Sequence, residues 1–154
     1  IQHNTLGIYL NSSTAASNNS GKNLTLVAGN VLRNNNAAGA SAGNAIYSDQ
    51  GLRNAAINGN LISQQDNASI ILIGGPAAAT SQSKLNIIGN VIGKYTAPGK
   101  TPTAAQMGAP IILANTSDSL ISSNVSYNSI GSGIFLAGGN TQDKNIGNYL
   151  PGGA

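Results

Sequence analysis

The chain has no cysteine, so neither a disulfide framework nor a thiolate metal site can hold it together. Charge is scarce as well: seven Lys and Arg stand against four Asp, and Glu is absent. Charged residues make up 7% of the chain, far below the roughly 25% of an average soluble domain. The net charge of +3 comes from scattered side chains rather than a basic stripe, which argues against a nucleic-acid partner. Long apolar runs are missing too. Stretches such as Ile70–Ile73 are far too short to cross a bilayer, so no membrane span is expected. His3 is the only histidine, and no nucleotide loop, zinc spacing or Ser/His/Asp set is present; no cofactor and no metal are expected. The space left by charge is taken by Asn, Ser, Gly, Ala and Thr. The 40% of hydrophobic residues recur on a pattern, which marks order rather than disorder.

That pattern is a pair of recurring phrases. The first reads LVAGNVL at Leu26–Leu32, AINGNLI at Ala56–Ile62, IIGNVIG at Ile87–Gly93 and ISSNVSYN at Ile121–Asn128, with a degraded copy, NIGNYL, at Asn145–Leu150. Its pivotal asparagines, Asn30, Asn60, Asn90, Asn124 and Asn148, are 24 to 34 residues apart, the range of a solenoid repeat. The second phrase precedes each of these: GIYL at Gly7–Leu10, AIYS at Ala45–Ser48, SIILI at Ser69–Ile73, PIILA at Pro110–Ala114 and GIFLA at Gly133–Ala137. Such β-branched and aromatic runs predict strands.

Alternation along a strand assigns the faces. In the second phrase Ile8, Ile46, Ile70, Ile111 and Ile134 form one inward column, and Leu10, Leu72, Leu113 and Leu136 a second, broken by Ser48. In the Asn phrase the predicted inward columns are Val27, Ile57, Ile87 and Ile121 before the bend, and Val31, Leu61, Val91, Val125 and Tyr149 after it. Asn145 stands where the fifth repeat should carry an aliphatic residue, which predicts a register slip or the end of the apolar core. The asparagines themselves are expected at the bend, in a left-handed or bridge conformation, with their amides bonded into a ladder across stacked repeats.

The shortest repeat steps, Ile46 to Ile70, Ile111 to Ile134 and Asn124 to Asn148, are 23 to 24 residues. Longer steps imply insertions near 11–22, 34–44, 74–83 and 93–110, where turn residues gather. A repeat of this length with three short strands predicts an all-β parallel β-helix, one domain over residues 1–154 with about five coils. Because the chain opens on Ile1 inside a strand-like phrase, it is expected to be a fragment of a longer protein. Five coils barely make a self-sufficient stack, so a homo-oligomer or a covering domain of the same chain is expected to protect its edges.

The x-G-I-x-L and I-x-G-N-x-I runs resemble the right-handed parallel β-helices of the pectin-lyase-like superfamily, in particular the NosD-like repeats of carbohydrate-binding proteins and sugar hydrolases. The resemblance covers nearly the whole chain. It implies a right-handed solenoid, an extracellular, cell-surface or virion setting, and a polysaccharide as partner, bound or depolymerised as in a tailspike or a secreted glycosidase. Among homo-oligomers, a trimer is what the likeness to trimeric viral tailspikes of this fold favours. A non-enzymatic surface adhesin or assembly module, such as an autotransporter passenger or viral fibre segment, is the alternative.

Candidate site residues follow from register. Between the inward columns of the second phrase lies an outward one, Tyr9, Tyr47, Ile71, Ile112 and Phe135, with three of the six aromatic residues of the chain. Its rings suit either the apolar faces of sugars or a protein neighbour, and Tyr9, Tyr47 and Phe135 are the candidate carbohydrate-binding residues. Glycoside hydrolysis normally needs two carboxylates. Asp118 lies six residues before Asn124 and Asp143 five before Asn148, so adjacent coils bring them together at one bend, with Lys84 one coil below. Asp118 and Asp143 are the candidate catalytic pair, with Asp49, two residues from Tyr47, as a third. Solvated turn residues are the plainer account of all three. Lyases of the resembling superfamily cluster Asp around calcium, and no such cluster stands in this sequence.

Overall fold

The computed structural model describes residues 1–10, 24–49, 51–75, 82–93, 110–127 and 133–150. The insertions expected at 11–22 and 93–110 lie outside the described residues, save Gly93 and Pro110, and that at 74–83 lies partly outside them. Among the described residues there is no helix, and the strands form three sheets in which every pairing is parallel.

Numbered in chain order, the first sheet contains β1 (Leu6–Tyr9), β4 (Asn44–Ser48), β7 (Ile70–Ile73), β10 (Ile111–Ala114) and β14 (Ile134–Ala137). The second contains β2 (Thr25–Ala28), β5 (Arg53–Asn58), β8 (Gln82–Ile88), β12 (Leu120–Ser122) and β15 (Lys144–Ile146), with β11 (Thr116–Ser117) also on β8. The third contains β3 (Val31–Arg33), β6 (Leu61–Ser63), β9 (Val91–Gly93) and β13 (Val125–Tyr127), extended by a bridge from Val125 to Tyr149. The chain visits the three sheets in cyclic order, an arrangement compatible with a parallel β-helix. Parallel sheets need such crossover connections, because a tight hairpin cannot join two parallel strands.

The core lies where the inner faces of the sheets meet. Ile46, Ile70 and Ile111 are in mutual register and wholly buried, as the first-sheet pattern requires. Val27, Ile57, Ile87 and Ile121 form the matching column of the second sheet. Each such burial stabilises the fold by about 1.5–3 kcal/mol. At the fifth repeat Asn145 pairs with Ile121 without any slip, and both Asn145 and Leu136 are exposed. The apolar core ends there; the register does not.

The third sheet differs from expectation. Val31, Leu61, Val91 and Tyr149 are exposed, and the inward column is instead Leu32, Ile62, Ile92 and Ser126. The reason lies in the asparagines, which point inward themselves: Asn60, Asn90 and Asn124 are buried, so alternation throws the next residue outward. Nor do the asparagines take the left-handed turn. The residue before each one does, with φ of 66° at Gly29, 62° at Gly59, 66° at Gly89, 55° at Ser123 and 62° at Gly147. No atom would crowd a Cβ at the four glycines, so conformational freedom rather than space selects glycine there, and Ser123 accepts the same turn at the cost of backbone strain.

The expected amide ladder is present. Asn30, Asn60, Asn90 and Asn124 each donate from Nδ2 to the Oδ1 of the asparagine one repeat on, at 2.9–3.0 Å, and from their backbone N–H to the same oxygen at 2.8–3.0 Å. The second Nδ2 hydrogen of Asn60, Asn90 and Asn124 goes to the carbonyls of Val27, Ile57 and Ile87 in the preceding repeat. The buried amides of Asn60 and Asn90 are thereby satisfied on every side, the condition for burying them without penalty.

Candidate functional site

The outward column of the first sheet follows the expected register: Tyr9 pairs with Tyr47, Tyr47 with Ile71, Ile71 with Ile112 and Ile112 with Phe135. It is not one uniform stripe. Tyr9 and Phe135, at opposite ends, are 46% and 49% exposed, whereas Ile71 in the middle is only 7% exposed. Tyr9 and Tyr47 sit side by side, their ring centroids 6.0 Å apart and their planes tilted by 30°. Phe135 is separated from them by the two isoleucines and belongs to a different place on the face.

Asp49 completes the tyrosine pair. It stands two residues after Tyr47, one past the end of β4, and its carboxylate accepts from both phenols: Tyr9 Oη donates to Oδ1 at 2.9 Å and Tyr47 Oη to Oδ2 at 3.5 Å. The first bond has ordinary hydrogen-bond length and the second is marginal. The result is two adjacent rings oriented by one exposed carboxylate. The link from Asp49 to Tyr9, 40 residues apart, was beyond reach without the register, although the Tyr47–Asp49 spacing was visible.

The other two acids meet differently from the way counting suggested. Asp118 continues a corner column in which Lys84, Asp118 and Gln142 all have positive φ, 56°, 52° and 58°, and all are exposed. Asp143 is one position further on, level with Ser119. Its Oδ1 accepts the backbone N–H of Ser119 at 3.0 Å, while Ser119 Oγ in turn accepts the N–H of Leu85. This is a second corner ladder, in which Asp143 does for Ser119 what one asparagine does for another. The offset of one residue, six against five before the pivotal Asn, puts Asp118 at the exposed corner and Asp143 in the half-buried column beside it.

The two carboxylates still feel each other. Burial raises the Asp143 pKa above the ordinary value of 3.8, the negative charge of Asp118 raises it further, and the hydrogen bonds from Ser119 oppose both. Asp143 Oδ2 is sealed from solvent without a hydrogen-bond partner, an arrangement that favours a proton on the carboxyl.

Among the described residues no group of three or more His or acidic side chains could hold a metal ion, and no helix is long and apolar enough to cross a membrane. His3 is exposed at the start of the chain, its Nδ1 3.1 Å from Asn34 Nδ2 and apart from every acid named above. The three parallel sheets and their ladders define the class as an all-β repeat protein of parallel strands. Comparison with protein-family models, curated proteins and solved structures finds no match.

Proposed function

We propose that this chain binds an extracellular polysaccharide on the outer face of its first sheet, as part of a right-handed parallel β-helix of about five coils of the pectin-lyase-like kind. The observation that carries the reading is the Tyr9–Tyr47–Asp49 constellation. A sugar ring offers a flat face of C–H groups bordered by hydroxyls. An aromatic ring covers the face, and a carboxylate fixed at its rim accepts from the hydroxyls, the usual division of labour between apolar contact and a few placed polar groups. The pairing of two rings on adjacent strands suits a chain of sugars better than a single one.

Titration with oligosaccharide fragments of bacterial and plant polysaccharides tests this. Tyr47→Ala should weaken binding about tenfold, the loss expected for one aromatic contact, and leave the mass in solution unchanged. Equal binding by the variant, or no binding by the unaltered protein across neutral and anionic glycans, would refute the proposal.

Depolymerisation is a second reading, favoured by Asp143. A general acid must hold its proton at working pH, which a half-buried carboxyl beside a second carboxylate does; delivery to a glycosidic oxygen requires that substrate docking uncover Asp143 Oδ2, which is sealed in the free chain. Asp143 is then the acid and Asp118 its neighbouring carboxylate. Cleavage would fall as pH rises through the elevated Asp143 pKa, and would be lost in Asp118→Asn plus Asp143→Asn. Turnover unaffected by that pair of changes would exclude these residues and leave the binding reading intact.

A further inference from the structure

The outward column of the third sheet has no role in the ladders, in the core or in the site on the first sheet. Val31, Leu61, Val91, Val125 and Tyr149 follow one another in continuous register. Their exposure is 59% at Val31, 49% at Leu61, 39% at Val91 and 60% at Tyr149. With the exposed Tyr127 beside them they offer on the order of 600 Å² per molecule, the upper end of what a monomer normally leaves open and most of the roughly 800 Å² that each partner gives to a standard interface. Parallel sheets are ordinarily covered on both faces; among the described residues this one is covered only on the inside.

We propose that this face is a two-fold interface between two copies of the chain. Charge selects the occupant. At the outward positions of the third sheet the only charged side chain is Arg33, on the first strand, so neither an acidic nor a basic partner finds a complement there. The same face finds one in itself. Arg33 sits at one end of the column, and the two exposed tyrosines, Tyr127 and Tyr149, sit at the other. An antiparallel two-fold lays the valine and leucine rungs against each other, brings the arginine of each copy over the tyrosine end of its mate, and opposes no like charges. Arg33 is already held in place by its bond from Nε to Gln64 Oε1 at 2.7 Å, which reduces the entropy lost on docking. The first-sheet column is the poorer candidate, because its middle is closed at Ile71.

Sedimentation equilibrium across a concentration series tests the proposal on the whole chain. The unaltered protein should show a mass of two chains. Leu61→Lys plus Val91→Lys, each counted twice across a two-fold, should raise the dissociation constant roughly 100-fold or more and give a mass of one chain with an unchanged β-sheet circular dichroism spectrum. Should that variant fail to fold, Leu61→Thr plus Val91→Thr, which keeps strand-forming residues, carries the same prediction. Tyr47→Ala should leave the two-chain mass as it is. A one-chain mass for the unaltered protein at every concentration, a two-chain mass that survives the Leu61 and Val91 changes, or dissociation by Tyr47→Ala instead, overturns it.

Discussion

Replacing Asn90 with alanine should destabilise the fold by about 3–5 kcal/mol, one of the largest effects available to a single polar substitution here. The side chain of Asn90 is wholly buried. Its Nδ2 donates to Ile57 O at 2.8 Å and to Asn124 Oδ1 at 2.9 Å, while its Oδ1 accepts Asn60 N and Nδ2 at 3.0 and 2.9 Å. Alanine removes both groups and leaves three buried partners, Ile57 O and the two Asn60 donors, without replacements. Each orphan costs about 1–3 kcal/mol, because no water reaches it. Asn30→Ala should cost far less: Asn30 is only half-buried, and one of its two Nδ2 bonds, to Ala28 O, lies on the exposed side. Urea unfolding of the two variants measures the contrast. A loss under about 1 kcal/mol at Asn90 would mean that the ladder follows the fold without holding it.

The second large effect separates two neighbouring residues. Ile62→Ala should cost about 2–5 kcal/mol and Leu61→Ala no more than about 0.5 kcal/mol, although both are aliphatic and adjacent in β6. Ile62 has no exposed surface and belongs to the central cluster; Leu61 is half exposed on the outside. Thermal or urea unfolding of the pair decides the facing of the whole third sheet, since its rungs share one register. Comparable losses at the two sites would contradict that facing.

Most of the fold was legible because most of it is periodic. The first-sheet columns followed from alternation within a single uninterrupted run, and Ile46, Ile70 and Ile111 met as expected. The third sheet was misassigned because alternation was carried across a turn. The glycine at positive φ resets the phase, the buried asparagine takes the inward slot, and the three-residue strand that follows is too short to reveal its own parity. The same sensitivity to one residue separated Asp118 from Asp143: a difference of one in the count to the next Asn exchanges an exposed corner for a half-buried rung. The contact between Asp49 and Tyr9 depends on which strands are neighbours, and only the register supplies that. Asp143 shows the converse. Its bond to Ser119 repeats the Asn device with a different residue, which no search for repeated letters would find.

The amide ladder also has a direction. In each amide-to-amide bond the Nδ2 of Asn30, Asn60, Asn90 or Asn124 donates toward the later repeat, and the accepting Oδ1 of Asn60, Asn90, Asn124 or Asn148 faces the earlier one. The column is therefore a vector: its dipoles add along the stack, and each bond polarises the next. A repeat inserted in the same orientation would continue the series, whereas an inverted one would set oxygen against oxygen and amine against amine. The asparagines thus encode polarity as well as spacing, a grammar by which repeats can be duplicated, deleted or transplanted in one sense only.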